Sequence, residues 1–212
     1  MEPEHISITE QGDPRKPNGE AGVEMLRRMN DSHYAVTGWA LEHFSFSPDD
    51  CVLDIGCGGG ETLHRLASLV PEGKLFGADH SPVSIQQSSV RNQDLMQNGR
   101  LKLVEASVEA LPYADNSFDK VITVESFYFW PDHAENLKEV RRVLRPGGTL
   151  LIVADIYGDA KLDEESKKSV EKYSLFNPTL AEFRQLLTSA GFSYVDIHTK
   201  PDTTWVCAEA RK

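Results

Sequence analysis

Between residues 51 and 155 short apolar runs alternate with amphipathic stretches. The runs 51–55, 74–79, 101–105, 119–124 and 147–155 are almost continuously apolar, as strands covered on both faces must be. Between them, 60–70, 82–97 and 133–144 carry apolar residues at helical spacing. The punctuation agrees. Pro71 and Gly73 stop the first helix, Asn98-Gly99 the second, and Pro146-Gly147-Gly148 the third. Repeated strand, helix, strand predicts an α/β protein with a parallel sheet and helices on both faces.

The flanks complete that picture. From Gly22 to Phe46, Val23, Leu26, Met29, Tyr34, Ala35, Trp39 and Leu41 predict two helices with a break near Asn30-Asp31, Asp31 or Ser32 serving as a cap. Lys161 to Lys172 reads as a helix with little apolar face. Thr179 starts another, through Leu180, Phe183, Leu186 and Leu187, which Gly191 ends. Phe192–His198 and Thr203–Ala210 read as strands joined at Pro201-Asp202, too short a link for a parallel crossover, so they form an antiparallel hairpin. The expected fold is a doubly wound α/β sheet of about seven strands, mostly parallel. Residues 1–21 are polar and hold Pro3, Pro14, Pro17, Gly12 and Gly19, which predicts a flexible arm ahead of a single domain over 22–212.

Composition narrows the partners. The 212 residues suit one well-filled domain. Lys and Arg total 22 against 33 Asp and Glu, a net charge of −11 that repels phosphate backbones and argues against nucleic acid. Cys51, Cys57 and Cys207 form no CxxC pair and no Cys/His cluster of zinc spacing, so no metal is expected and a reducing interior fits. Met-Glu-Pro-Glu-His is unlike a signal peptide, and no apolar run reaches the ~20 residues of a membrane span. The expectation is a cytoplasmic monomer or homodimer with no membrane partner.

The candidate chemistry lies where the first strand ends. Cys51-Val52-Leu53-Asp54 runs into Gly56-Cys57-Gly58-Gly59-Gly60 and then a helix, a turn that lets a ligand come close to main-chain amides. A dinucleotide fingerprint needs glycine where this chain has Glu61, and that carboxylate would repel a pyrophosphate at the helix end. No GK[ST] follows, so a P-loop is excluded. Leu75-Phe76-Gly77-Ala78-Asp79 is a strand ending in an acid, placed to accept from both hydroxyls of an adenosine ribose. Capping of the next helix is the structural alternative for Asp79. Further on, Glu125-Ser126-Phe127-Tyr128-Phe129-Trp130-Pro131 sets four aromatics at a strand's C-terminal end, an apolar wall suited to a sulfonium or a planar acceptor. About half of the four should be core, with Tyr128 or Trp130 in the pocket.

These stretches resemble the motifs of class I S-adenosylmethionine-dependent methyltransferases. The run 52–60 resembles their first motif, and three others follow in order: Gly77 to Ser81; Ser107 to Tyr113 with Ser117-Phe118-Asp119; and Val143 to Gly148. The branch they resemble is the small-molecule one typified by ubiquinone and menaquinone biosynthesis. The resemblance implies a Rossmann-like fold, S-adenosylmethionine as cofactor and methyl transfer to a small-molecule acceptor. It implies that Asp54 supports the turn and the cofactor's amino-acid end, and that Gly56, Cys57 and Gly58 pass beside the cofactor. Asp79 would bind the ribose and His80 flank the adenine. Ser107 stands where the family often has Asp, so its hydroxyl or the Val108 amide would meet the adenine. Glu125 would pass the sulfonium and the acceptor pocket. Residues 22–46 would form a helical lid and 156–177 a variable substrate-side insertion. Glu125, His33 and Tyr128, in that order, are the candidates for moving a proton. A nicotinamide oxidoreductase and a non-catalytic cofactor-binding protein are the rival readings.

Overall fold

The structure, a computed structural model, describes residues 11–212. Seven strands form one sheet: β1 (Cys51–Ile55), β2 (Lys74–Asp79), β3 (Leu101–Glu105), β4 (Phe118–Val124), β5 (Leu144–Ala154), β6 (Tyr194–Thr199) and β7 (Val206–Arg211). Their order is β3-β2-β1-β4-β5-β7-β6. The pairs from β3 through β5 are parallel, while β7 runs antiparallel to both β5 and β6. The chain winds outward from β1 to β3, then returns to place β4 on the other side of β1. That reversal opens a crevice at the C-terminal ends of β1 and β4.

Alternate residues of the central strands feed two cores, as the two-residue strand period requires. Leu53, Val121, Leu150 and Ile152 pack with Leu137 and Val140 of α6 (His133–Val143) and with Phe183 and Leu187 of α8 (Leu180–Ser189). Val52, Ile122, Leu151 and Val153 pack on the other face, with Val36 and Ala40 of α2 (Tyr34–Leu41) and Leu63 and Leu66 of α3 (Glu61–Leu69). Helices therefore cover both faces, the reason the strands read as unbroken apolar runs.

Several boundaries depart from the sequence pattern. The predicted helix 82–97 is two helices, α4 (Pro82–Arg91) and α5 (Gln93–Gln97). The break is at Asn92, whose buried amide donates to the carbonyls of Gly60 and Ser88 and so ties α4 to the glycine turn. β5 begins at Leu144, before the glycines expected to precede it, because Leu144 pairs with Phe118 across a register shift. The N-terminal break falls at His33, and neither Asp31 nor Ser32 caps the second helix. Polar periodicity places such a break only within a few residues. The charged helix is α7 (Glu164–Tyr173), and the hairpin link runs from Lys200 to Trp205.

The first helix, α1 (Gly19–Ser32), starts inside the segment expected to be an arm. Just before it, the carbonyl of Pro17 accepts from the Ser81 hydroxyl at 2.5 Å, so this part of the expected arm is held against the sheet edge. Residues 1–10 of that arm lie outside the described residues. Among the described residues no helix is long and apolar enough to cross a membrane.

Candidate functional site

The turn after β1 is built on left-handed glycines: φ is +72° at Gly56, +48° at Gly58 and +80° at Gly60. Its amides are largely committed to the fold. Gly56 and Cys57 both donate to the Ala78 carbonyl, at 2.8 and 3.2 Å, and Gly58 donates to Asp79 Oδ2 at 3.0 Å. These three amides are therefore occupied within the fold. What the glycines supply is clearance. A Cβ on Gly56 would come within 2.5 Å of Ser126 Cβ, and Ser126 Oγ in turn bridges Thr123 Oγ1 at 2.6 Å and the Ile55 carbonyl at 3.1 Å.

Asp79 combines the two roles weighed for it. Its Oδ1 accepts from the Ser81 amide at 2.9 Å and its Oδ2 from Gly58, yet it also lines the cleft. The cap of α4 is Ser81, which accepts from the Ser84 amide. Each Asp79 oxygen keeps a second lone pair for a ligand. Burial pushes its carboxyl up, and the two amides oppose that shift.

Asp54 lies behind the turn, outside the cleft lining and 1% exposed, and no donor among the described residues reaches either of its oxygens. Burial, with the Asp79 charge nearby, pushes it up to about 8. A carboxyl left in this state has a strong unmet demand for a cation or donor. Cys57 is buried in the turn, where burial pushes its thiol well up and leaves it a packing residue rather than a nucleophile.

The cleft itself is a cavity of about 390 Å³. Gly56, Cys57, Gly58, Asp79, His80, Ser107, Val108, Glu125 and His33 all line it. Ser107 is engaged by Glu109: its hydroxyl donates to Glu109 Oε2 at 2.9 Å and accepts from the Glu109 amide at 3.2 Å, which leaves one lone pair to accept from a ligand. Glu109, which sequence reasoning passed over, also lines the cleft and brings a carboxylate close to where the family's Asp is missing. Asn30 was likewise missed; its amide reaches the Gly59 carbonyl at 3.5 Å from α1.

A second cavity, about 370 Å³, adjoins the first. Met29, His33, Glu125 and Phe129 line both. Glu125 has φ +53°, a left-handed conformation that turns it back over the end of β4, and it is 3% exposed. Its Oε2 accepts from Tyr128 Oη at 2.8 Å, Oε1 meets no donor among the described residues, and the carboxyl lies beside that of Asp155. Two acceptors in contact need a shared proton, and burial with the Asp155 charge pushes Glu125 well up. Tyr128 lines only this second cavity. Trp130 and Phe129 line the first, whereas Phe127 stacks on Phe183 in the core. His33 is lowered by burial, so its imidazole is neutral near pH 7. Asp155 was within reach of sequence reasoning: like Asp79 and Glu125, it is an acid closing a central strand.

Comparison with known proteins agrees with this geometry. Residues 53–152 match the family described as "Methyltransferase domain". An uncharacterized methyltransferase of Bacillus subtilis is 27% identical over 188 residues, 87% of this chain and 95% of that one. A demethylmenaquinone methyltransferase of Geobacillus kaustophilus is 30% identical over 181 residues, covering 74% of this chain and 75% of the relative. The chain belongs to the class I S-adenosylmethionine-dependent methyltransferases. A solved SAM-dependent methyltransferase from Aquifex aeolicus shares the fold, with a TM-score of 0.71 and 16% identity over 89% of this chain and 97% of that one.

The methyltransferase uses S-adenosylmethionine as cofactor, and its residues fit that cation. Among the described residues, both oxygens of buried Asp54 at the turn and Oε1 of buried Glu125 at the end of β4 meet no donor. The sulfonium and ammonium charges of the cofactor are of the sign both require. The oxidoreductase reading finds no support in this methyltransferase. Glu61 is held by Arg91 at 2.9 Å at the start of α3, where a pyrophosphate would need to sit. A Tyr-x-x-x-Lys spacing does occur, Tyr157 to Lys161, but it falls in a turn after β5 and lines neither cavity.

Proposed function

We propose that this methyltransferase transfers a methyl group to a small-molecule acceptor held in the second cavity, by in-line displacement. The observation that carries this reading is the pair of adjoining cavities that share Glu125, His33, Met29 and Phe129. A donor in one and an acceptor in the other would meet at those side chains.

When bound, S-adenosylmethionine supplies an electrophilic methyl group on a sulfonium. The chain's own task is to position, dehydrate and deprotonate. Asp79 takes the ribose hydroxyls with its free lone pairs, and Asp54 counters the charge at the amino-acid end from beneath the turn. Gly56, Cys57 and Gly58 form the smooth wall beside it. His80, Ser107, Val108 and Glu109 border the adenine, with Glu109 adding a carboxylate acceptor beside the Ser107 hydroxyl. Residues 22–46 border both cavities, and 156–177 border the second. Neutral His33 and the Glu125–Tyr128 pair stand at the junction, where a proton leaves the acceptor.

Two measurements test this. In titration calorimetry, Asp79→Ala should weaken S-adenosylmethionine binding by about 30- to 100-fold, the loss of hydrogen bonds to a charged group. Asp79→Asn keeps one acceptor for the Gly58 or Ser81 amide and should lose less; unchanged binding in both variants would remove the ribose assignment. For the acceptor, methyl-labelled S-adenosylmethionine incubated with enzyme and cell extract should place label in the low-mass fraction. Label confined to protein or RNA would overturn the small-molecule reading.

A further inference from the structure

Resting on the reading that the second cavity receives the acceptor, we propose that this cavity selects an amine on an apolar or aromatic body, and that the reaction is N-methylation. The cavity of about 370 Å³ is charged in one direction: Glu125, Asp155 and Glu165 line it against a single guanidinium, Arg28. Acidity alone would mean little. The deciding feature is Glu125 Oε1, which is buried, makes no hydrogen bond among the described residues and belongs to a carboxyl set beside that of Asp155 at the junction of the cavities.

A ligand completes that arrangement by bringing N–H groups and positive charge together. An ammonium brings both, and can donate to Glu125 and Asp155 at once. An alcohol brings one donor and no charge. A carboxylate or phosphate brings only further acceptors to the Glu125–Asp155 pair. His33 adds no opposing charge, because burial keeps it neutral. The walls suit the rest of such a ligand: Tyr128, Phe129 and Tyr173 line the cavity with aromatic surface, and Met25 and Leu175 add apolar surface.

The transfer balances on these groups. The bound ammonium gives one proton to Asp155, which is partly open to solvent and passes it out. The freed nitrogen lone pair forms the N–C bond while the C–S bond breaks, its electron pair staying on sulfur. The products are S-adenosylhomocysteine and a methylated ammonium.

The test uses three probes with one apolar body and different heads: 2-phenylethylamine, 2-phenylethanol and 3-phenylpropionate. Each is titrated into the protein saturated with S-adenosylhomocysteine, and into the free protein. The amine should bind about 10- to 100-fold more tightly than the alcohol, with the carboxylate weakest. Asp155→Asn should cut the amine's advantage to less than about threefold while S-adenosylhomocysteine binds as before. An alcohol or carboxylate that binds as well as the amine overturns the proposal, as does an amine preference that survives in Asp155→Asn. Failure of S-adenosylhomocysteine to bind strikes the cofactor reading instead, and the free-protein series then still decides the amine preference.

Discussion

The Asp54→Asn variant is expected to keep its stability as pH rises through the range where the parent protein loses it. Asp54 meets no hydrogen-bond donor among the described residues and is 1% exposed, and burial pushes its pKa in the folded protein up to about 8. In the unfolded chain it titrates near its ordinary value of about 4. Below that value both states hold the proton. Between about 4 and 8 the folded state keeps it and the unfolded state releases it, so stability falls by ~1.4 kcal/mol per pH unit. By pH 8 the loss is roughly 5 kcal/mol, comparable with the whole stability of a small domain. Asn carries no proton to lose. Urea unfolding of the apoprotein at several pH values should give a slope shallower by about one proton in the variant than in the parent. Equal slopes would show that Asp54 is already ionised in the fold. Binding should move the other way: S-adenosylmethionine stabilises the parent by supplying the missing cation, and should stabilise Asp54→Asn much less.

Gly56→Ala carries the second large effect. The φ of +72° costs an alanine about 1–2 kcal/mol, and its Cβ would sit 2.5 Å from Ser126 Cβ. Relieving that overlap by moving either chain costs a further ~1–3 kcal/mol. Movement of the turn would also pull the Gly56 and Cys57 amides off the Ala78 carbonyl and displace the cleft wall. Thermal unfolding should show a loss of about 2–5 kcal/mol, with cofactor binding lost or nearly so. A second substitution, Ser126→Gly, removes the obstructing atoms but leaves the backbone strain. The double variant should therefore recover the packing part and not the rest. Full additivity of the two would mean that Ser126 does not press on the turn.

The parts of this molecule visible in sequence were those governed by periodicity and by backbone freedom. The continuous apolar strands, the glycines at 56, 58 and 60, and Asp79 at the end of β2 follow from local rules, and each lands where those rules put it. The parts not visible share a different cause. Ser107 is engaged by Glu109, which becomes its partner only through the turn after β3. The Gly56 and Cys57 amides are occupied because β2 brings the Ala78 carbonyl beside them. The break of the long helix at Asn92 is set by Gly60, some thirty positions away. Tyr128 reads as a pocket residue from its place in an aromatic row, but only the one-turn 3₁₀ helix over Phe127–Phe129 shows that it joins Glu125 in the second cavity. Contacts made across the sheet leave no periodic trace in the chain that makes them.

The reversal of β7 decides how this enzyme can be handled. β1, β2 and β4 all point their C-terminal ends at the cleft, whereas β7 returns beside β5 and ends opposite Thr149, near the start of β5's inner run. Lys212 is fastened there, its amide on the Gly148 carbonyl and its Nζ on that of Leu144. Anything joined after residue 212 grows from the far rim of the sheet, so a tag, a tether to a solid support or a fused reporter leaves both cavities unobstructed. Pro14, Arg15 and Pro17, by contrast, form part of the cleft wall.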